Sequence, residues 1–140
     1  MSRSGYRDDY DDDDGALNLW RANVDRAIGG KRGQDFLLEM ASALDAMPVK
    51  ELVADEVVRD SAHVCAMGAV AVARGLDVSK VDPEDPEAVA ATFGIARAMA
   101  CEIAFENDER AQWAGQHQET PAERWTRMRK WVSDHLKKAQ

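Results

Sequence analysis

Glu102, Glu106 and Glu109 are the residues whose type and spacing come nearest to chemistry. Glu102 and Glu106 are four apart and share one face of a helix. Glu106 and Glu109 are three apart, and Asn107 and Asp108 lie between them. Five oxygen-bearing side chains in so short a span can hold a hard cation such as magnesium. Glu51, Asp55 and Glu56 offer a second acidic group on another element. The competing reading is that these carboxylates ring a buried helix and pair with Arg97, Arg124 or Arg127. Ion pairing is the commoner reason for clustered charge, and the balance falls there.

Three other sets of residues invite a chemical reading. Lys31, Arg32 and Gly33 sit in a glycine-rich basic turn, Gly29 to Gln34, ahead of a helix predicted to start at Asp35. Free backbone N–H groups, a helix N-terminus and two cations are the ingredients of an anion site. The turn is not a Walker loop, since its Lys precedes the final Gly and no Ser or Thr follows. A plain helix connection with solvated cations explains it as well. His63, Cys65 and Cys101 raise a metal question, but they lack the close Cys-x-x-Cys spacing of a zinc site. His117 and His135 have no evident partner. Trp131 lies off the main apolar stripe of the last helix, beside Arg124 and His135. An aromatic residue next to Arg on a basic helix has the composition of a protein-binding hot spot, while packing on a neighbouring helix is the simpler use of the ring.

These groups need helices to position them. Pro86 to Asn107 is predicted as one long apolar helix, with a bend at Gly94, starting from an Asp85 N-cap and Pro86 at the first turn. Between Val89 and Phe105 only Arg97 and Glu102 carry charge, so the other helices must wrap it. Leu17, Trp20, Val24, Ala27 and Ile28 mark a first helix over 16–28, and Phe36, Leu37, Met40, Leu44 and Met47 a second over 35–47. Residues 50–59 suit either a helix or a short strand. Residues 61–74 read as a buried helix ended by Gly75. Residues 107–119 read as a polar loop. Thr120-Pro121-Ala122-Glu123 is a capping box opening a last helix with Trp125, Met128, Val132 and Leu136 inward. Glu123 with Arg127, and Asp134 with Lys130 and Lys138, are spaced as helix-surface ion pairs. The expected fold is all-α: a single-domain bundle of five or six helices around a buried central helix.

Composition bounds the function. The chain has 140 residues, 45% of them apolar and 31% charged, enough for one sizeable core. Its net charge of −8 argues against general affinity for nucleic acid. Two cysteines make no disulfide framework and point to a reducing, cytoplasmic setting. No apolar run has the length of a membrane span. Residues 1–14 carry six aspartates against two arginines and read as a disordered acidic tail, leaving 15–140 as the helical domain. The stretch from Thr120 onward is basic, so tail and last helix could pair within or between molecules, the latter giving a homo-oligomer.

The pieces MSRSGY, GGKRGQDFL, ALDAMPVKELVADE, VCAMGAVAVARG, DPEDPEAVAATFGIARAMACEIAFENDE and ETPAERWTRMRKWV cover nearly the whole chain. In these the chain resembles a group of small phage and prophage proteins of unknown function. The resemblance implies a cytoplasmic protein made during infection or from a prophage, and it brings no catalytic residues. Two functions are carried forward. The first is a non-enzymatic accessory protein, without cofactor, that binds a host or phage macromolecule, such as a component of a host defence system. The second is a magnesium-dependent nucleotide hydrolase using Glu102, Glu106 and Glu109 with the Lys31-Arg32 turn. All-helical nucleoside-triphosphate pyrophosphohydrolases grip magnesium with acidic pairs three apart on helices. Here only Glu106 and Glu109 have that spacing, and they fall where the helix is expected to end.

Overall fold

The computed structural model describes residues 3–4, 16–60, 63–113 and 119–137, with side chains at all of these except 16–17 and 112–113. Among them are six helices of eight residues or more, a four-residue helical turn and one small hairpin. The all-α expectation holds, with the hairpin as its exception.

Helix α1 (Ala16–Gly29) and helix α2 (Lys31–Asp45) are joined through Gly30 alone. This corrects the predicted 29–34 turn: Lys31, Arg32 and Gly33 form the first turn of α2 itself. Gly30 is extended, at φ −74° and ψ 168°, and serves as the N-cap. Gly33 is buried where the two helices meet. A Cβ there would lie 2.0 Å from the carbonyl oxygen of Ala27. The glycine is needed for close approach rather than for a loop conformation. The predicted inward stripe of α2 is observed, with Phe36, Leu37, Met40 and Leu44 all buried.

The stretch after α2 is irregular and bends at 48–49 and 54–55 before two short strands. Strands β1 (Val58–Asp60) and β2 (His63–Val64) pair antiparallel, Val58 opposite Val64 and Asp60 opposite His63. The helix predicted from residue 61 therefore begins later, as α3 (Ala66–Arg74). Val64, inside the predicted 61–74 helix, belongs to the hairpin instead. The valines explain the difference, since β-branched side chains suit a half-buried pleated edge. Val53 N–H donates to the Val64 carbonyl at 2.9 Å and Cys65 N–H to that of Val57 at 3.0 Å. Cys65 is the α3 N-cap, its sulfur accepting from Gly68 N–H at 3.4 Å. Gly75, left-handed at φ 67°, ends α3.

Asp85 caps α4 (Pro86–Phe93) as its sequence implied, accepting from Ala88 N–H at 3.2 Å. The single helix over 86–107 is a correction. Gly94 is left-handed at φ 75°, and the chain turns by 105° before α5 (Arg97–Asp108). A Cβ-free residue makes that turn cheap. It lets α4 fold back onto α5. Every residue from Met99 to Asn107 is buried, and α5 touches α1, α3, α4 and α7. The central helix of the bundle is thus α5 alone.

Helical structure continues past Asn107, where a loop was expected. Asp108 closes α5 and Arg110–Trp113 forms the short turn α6. Helix α7 (Pro121–His135) starts with the full capping box: Glu123 N–H donates to Thr120 Oγ1 at 3.1 Å, and Thr120 N–H to Glu123 Oε1 at 2.9 Å. Met128 and Val132 are fully buried, and Trp125 donates Nε1–H to the Leu44 carbonyl at 3.2 Å. Lys130 and Asp134 pair at 2.7 Å as spaced. Arg127 does not pair with Glu123, which the cap has engaged. Thr120→Ala should lower the melting temperature by the loss of about 1 kcal/mol, measured by thermal unfolding. Among the described residues no single helix is long and apolar enough to cross a membrane.

Candidate functional site

The polar groups of this chain gather at the C-terminal half of α5. A carboxylate carried into a core must be matched by charge and hydrogen bonds, or its burial costs several kcal/mol. Each one here has a match. Glu102 is 2% exposed and accepts a two-point contact from Arg21 of α1, at 2.9 and 3.0 Å. Glu106 is 4% exposed and is held by Arg110 at 2.8 Å, with Arg127 of α7 at 3.7 Å. Arg127 also grips Glu119 at 2.6 and 3.0 Å. Arg124 stands 3.4 Å from Glu119 and donates Nη1–H to the Leu52 carbonyl at 2.9 Å.

The next residue after Glu106, Asn107, is 1% exposed and acts as a hub. Its Oδ1 accepts from Ala66 N–H at 3.1 Å, and its Nδ2 donates to the Val53 carbonyl at 2.9 Å and to Asp108 Oδ1 at 2.8 Å. One side chain thereby ties α5 to the segment after α2 and to the first turn of α3. Asp108 Oδ1 also accepts from the backbone N–H of Asp55 at 3.1 Å. Asp55 itself is left-handed, at φ 68°.

The chain's own N-terminus completes this cluster. Arg3 is 5% exposed and Ser4 3%. Arg3 forks onto Asp108, Nε–H to Oδ2 at 2.7 Å and Nη2–H to Oδ1 at 2.6 Å, and its Nη1 lies 3.5 Å from Cys65 Sγ. Ser4 Oγ–H donates to Glu109 at 2.6 Å. Burial works against the arginine's charge, but Cys65 and Asp108 outweigh it and hold the pKa above the ordinary value. The acidic run of the predicted tail lies outside the described residues.

The sequence-predicted site residues are dispersed by this arrangement. Glu102, Glu106 and Glu109 face Arg21, Arg110 and Ser4 respectively, rather than one another. Among the described residues no three His, Cys, Asp or Glu side chains come together as a metal-binding group. Asp55 and Glu56 lie on the segment after α2, and Glu56 pairs with Arg59 at 2.7 Å. Exposed His63 pairs with Asp60 across the hairpin end at 2.8 Å, away from buried Cys65. Burial pushes the Cys101 thiol above its usual range; Arg97 opposes this and Glu102 adds to it.

Lys31 and Arg32 are exposed at the N-terminus of α2, and Lys31 reaches Asp35 at 2.8 Å. Gln34 seals the same corner. It donates to the carbonyls of Ile28 and His135, both at 2.9 Å, and accepts from Lys137 N–H at 2.8 Å. Trp131 is 8% exposed and belongs to the core, so of its two readings the simpler one, packing on its neighbours, is what the structure has. Exposed His135 lies against it, ring centroids 4.5 Å apart. Arg124 is taken up by Glu119. His117 and Lys138 lie outside the described residues. An apolar recess of about 140 Å³ opens between the end of α2 and α3, lined by Ala43, Met47, Val49, Val64 and Val72 among others.

Arg3, Arg21 and Arg110 are the residues that sequence reasoning missed, and Asn107, read there as a cation ligand, is instead a hydrogen-bond hub. Arg21 has a findable signal, since it breaks the apolar register of α1 beside Trp20. Arg3 has none, because nothing local marks a terminal residue for docking 105 positions away. In comparisons with known proteins, no family model, no curated protein and no solved structure matches the chain.

Proposed function

We propose that this chain acts by binding another macromolecule, as a cytoplasmic accessory protein of phage or prophage type, with a component of a host defence system as the partner class. The observation that supports this is how the ionisable groups are used. Glu102, Glu106, Asp108, Glu109 and Glu119 are each engaged by an arginine or a serine of the same chain. A hydrolase of the magnesium type needs carboxylates that converge on a shared point and face substrate. These are turned to cross-linking helices instead.

The test separates the two readings. The purified chain, tagged, is passed over lysate of its bacterial host, and bound material is resolved by size-exclusion chromatography with light scattering. A complex of fixed stoichiometry that survives salt is the expected result. In parallel, magnesium and a panel of nucleoside triphosphates are added to the chain alone. The expectation is no product and a melting temperature unchanged within about 1 °C. Hydrolysis that requires magnesium and is lost in Glu106→Gln would replace the binding reading with the enzymatic one.

A further inference from the structure

Arg3 sits against acceptors supplied by α5 and by the start of α3. Asp108 presents both carboxylate oxygens to the guanidinium, and its side chain is only 2% exposed. Two donors orient that carboxylate from behind, Asp55 N–H at 3.1 Å and the Asn107 amide at 2.8 Å. Neither contact involves Arg3. Cys65 Sγ supplies a third acceptor at 3.5 Å. Beside the arginine, Val57, Met67, Pro86 and Val89 line a small gap of which Arg3 is itself one wall. Glu109, beside it, accepts from Ser4 at 2.6 Å. All these acceptors belong to the folded body. The occupant belongs to the chain end, separated from α1 by residues 5–15.

We propose that this set of acceptors at the C-terminal end of α5 is a guanidinium-binding site, that Arg3 is its tethered occupant, and that an arginine side chain from another protein chain can take its place. The proposal stands apart from the functional reading above. The chemistry selects arginine over lysine. A planar fork meets both oxygens of a fixed carboxylate, while an ammonium is a compact, strongly hydrated point charge. Covalent attachment gives Arg3 an effective concentration on the order of millimolar, so an outside arginine must add contacts of its own to displace it.

Full-length Arg3→Ala is the test protein, and ethylguanidinium at about 10 mM the probe, with ethylammonium at equal ionic strength as control. Arg3→Ala should melt below wild type. Ethylguanidinium should raise its melting temperature saturably, by about 3–6 °C at ten times Kd, and leave wild type unmoved. Ethylammonium should do nothing, and Asp108→Asn combined with Arg3→Ala should abolish the response. If Arg3→Ala does not fold unaided, recovery of a cooperatively melting chain on adding ethylguanidinium is read instead. Labelling of Cys65 by a thiol reagent gives a second readout: it should speed up in Arg3→Ala and slow again with ethylguanidinium, while Cys101 stays unchanged. Equal effects of the two probes, or a response that survives Asp108→Asn, would overturn the site. Capped Met-Ser-Arg-Ser-Gly should bind Arg3→Ala more tightly than free arginine, because Ser4 adds its bond to Glu109. Tighter binding of free arginine would overturn a protein chain as the occupant's source.

Discussion

Gly68→Ala is expected to cost about 3 kcal/mol or more, or to prevent folding altogether. A Cβ at position 68 would lie 1.9 Å from the Val57 carbonyl oxygen and 2.8 Å from the Val64 Cβ. Neither can step aside. Val57 C=O is fixed by its bond from Cys65 N–H, and Val64 is a strand residue whose own carbonyl accepts from Val53. The contact is backbone against backbone, so no rotamer change relieves it. Urea unfolding followed by circular dichroism measures the loss. Gly94→Ala is the control: open space surrounds that Cβ, and only the left-handed φ of 75° penalises it, by about 1 kcal/mol. If the two variants lose stability equally, α3 does not seat on the hairpin in the way described.

Asn107→Ala should cost about 3 kcal/mol by the same assay, since two buried backbone groups, Ala66 N–H and Val53 C=O, lose their partner and each such loss costs about 1–3 kcal/mol. Asn107→Asp separates hydrogen bonding from shape. It keeps the acceptor for Ala66 N–H, loses the donor to Val53 C=O, and sets a second carboxylate against Asp108 in a site exposed by 1%. Its stability should therefore rise as pH falls and the new group takes up a proton, opposite to a carboxylate stabilised by pairing. A variant as stable as wild type at neutral pH would show that Asn107 is not the hub.

What was legible followed from local rules. The Asp85 cap, the Thr120–Glu123 capping box and the apolar faces of α2 and α7 each depend on residues within a turn or two of one another. The errors arose where distant backbone decided the outcome. Residues 29–34 look like a flexible turn, because glycines are usually read as freedom; at Gly33 the glycine is there for the carbonyl of Ala27. Residues 61–65 look helical by composition, yet Val53 and Val57 supply ladder partners that no periodicity reveals. The carboxylates of α5 were legible as an ion-pair rim in kind but not in partner. Arg127 was foreseen; Arg21 and Arg3 were not, since the identity of an ion-pair partner depends on how helices cross. Trp131 was legible as a packing residue though it lies off the narrow stripe of α7, because the helix is embraced widely enough to bury its flank.

The Arg3 contact also orders events in time. Arg3 is made before Asp108, which follows 105 positions later. At about 5–20 residues per second of synthesis, that delay is roughly 5–20 s. The residues of α1 to α4 and of the hairpin are all synthesised before Asp108. Seating of Arg3 therefore reports on assembly, since it requires Asp108 at the end of α5 and Cys65 at the start of α3 to have met.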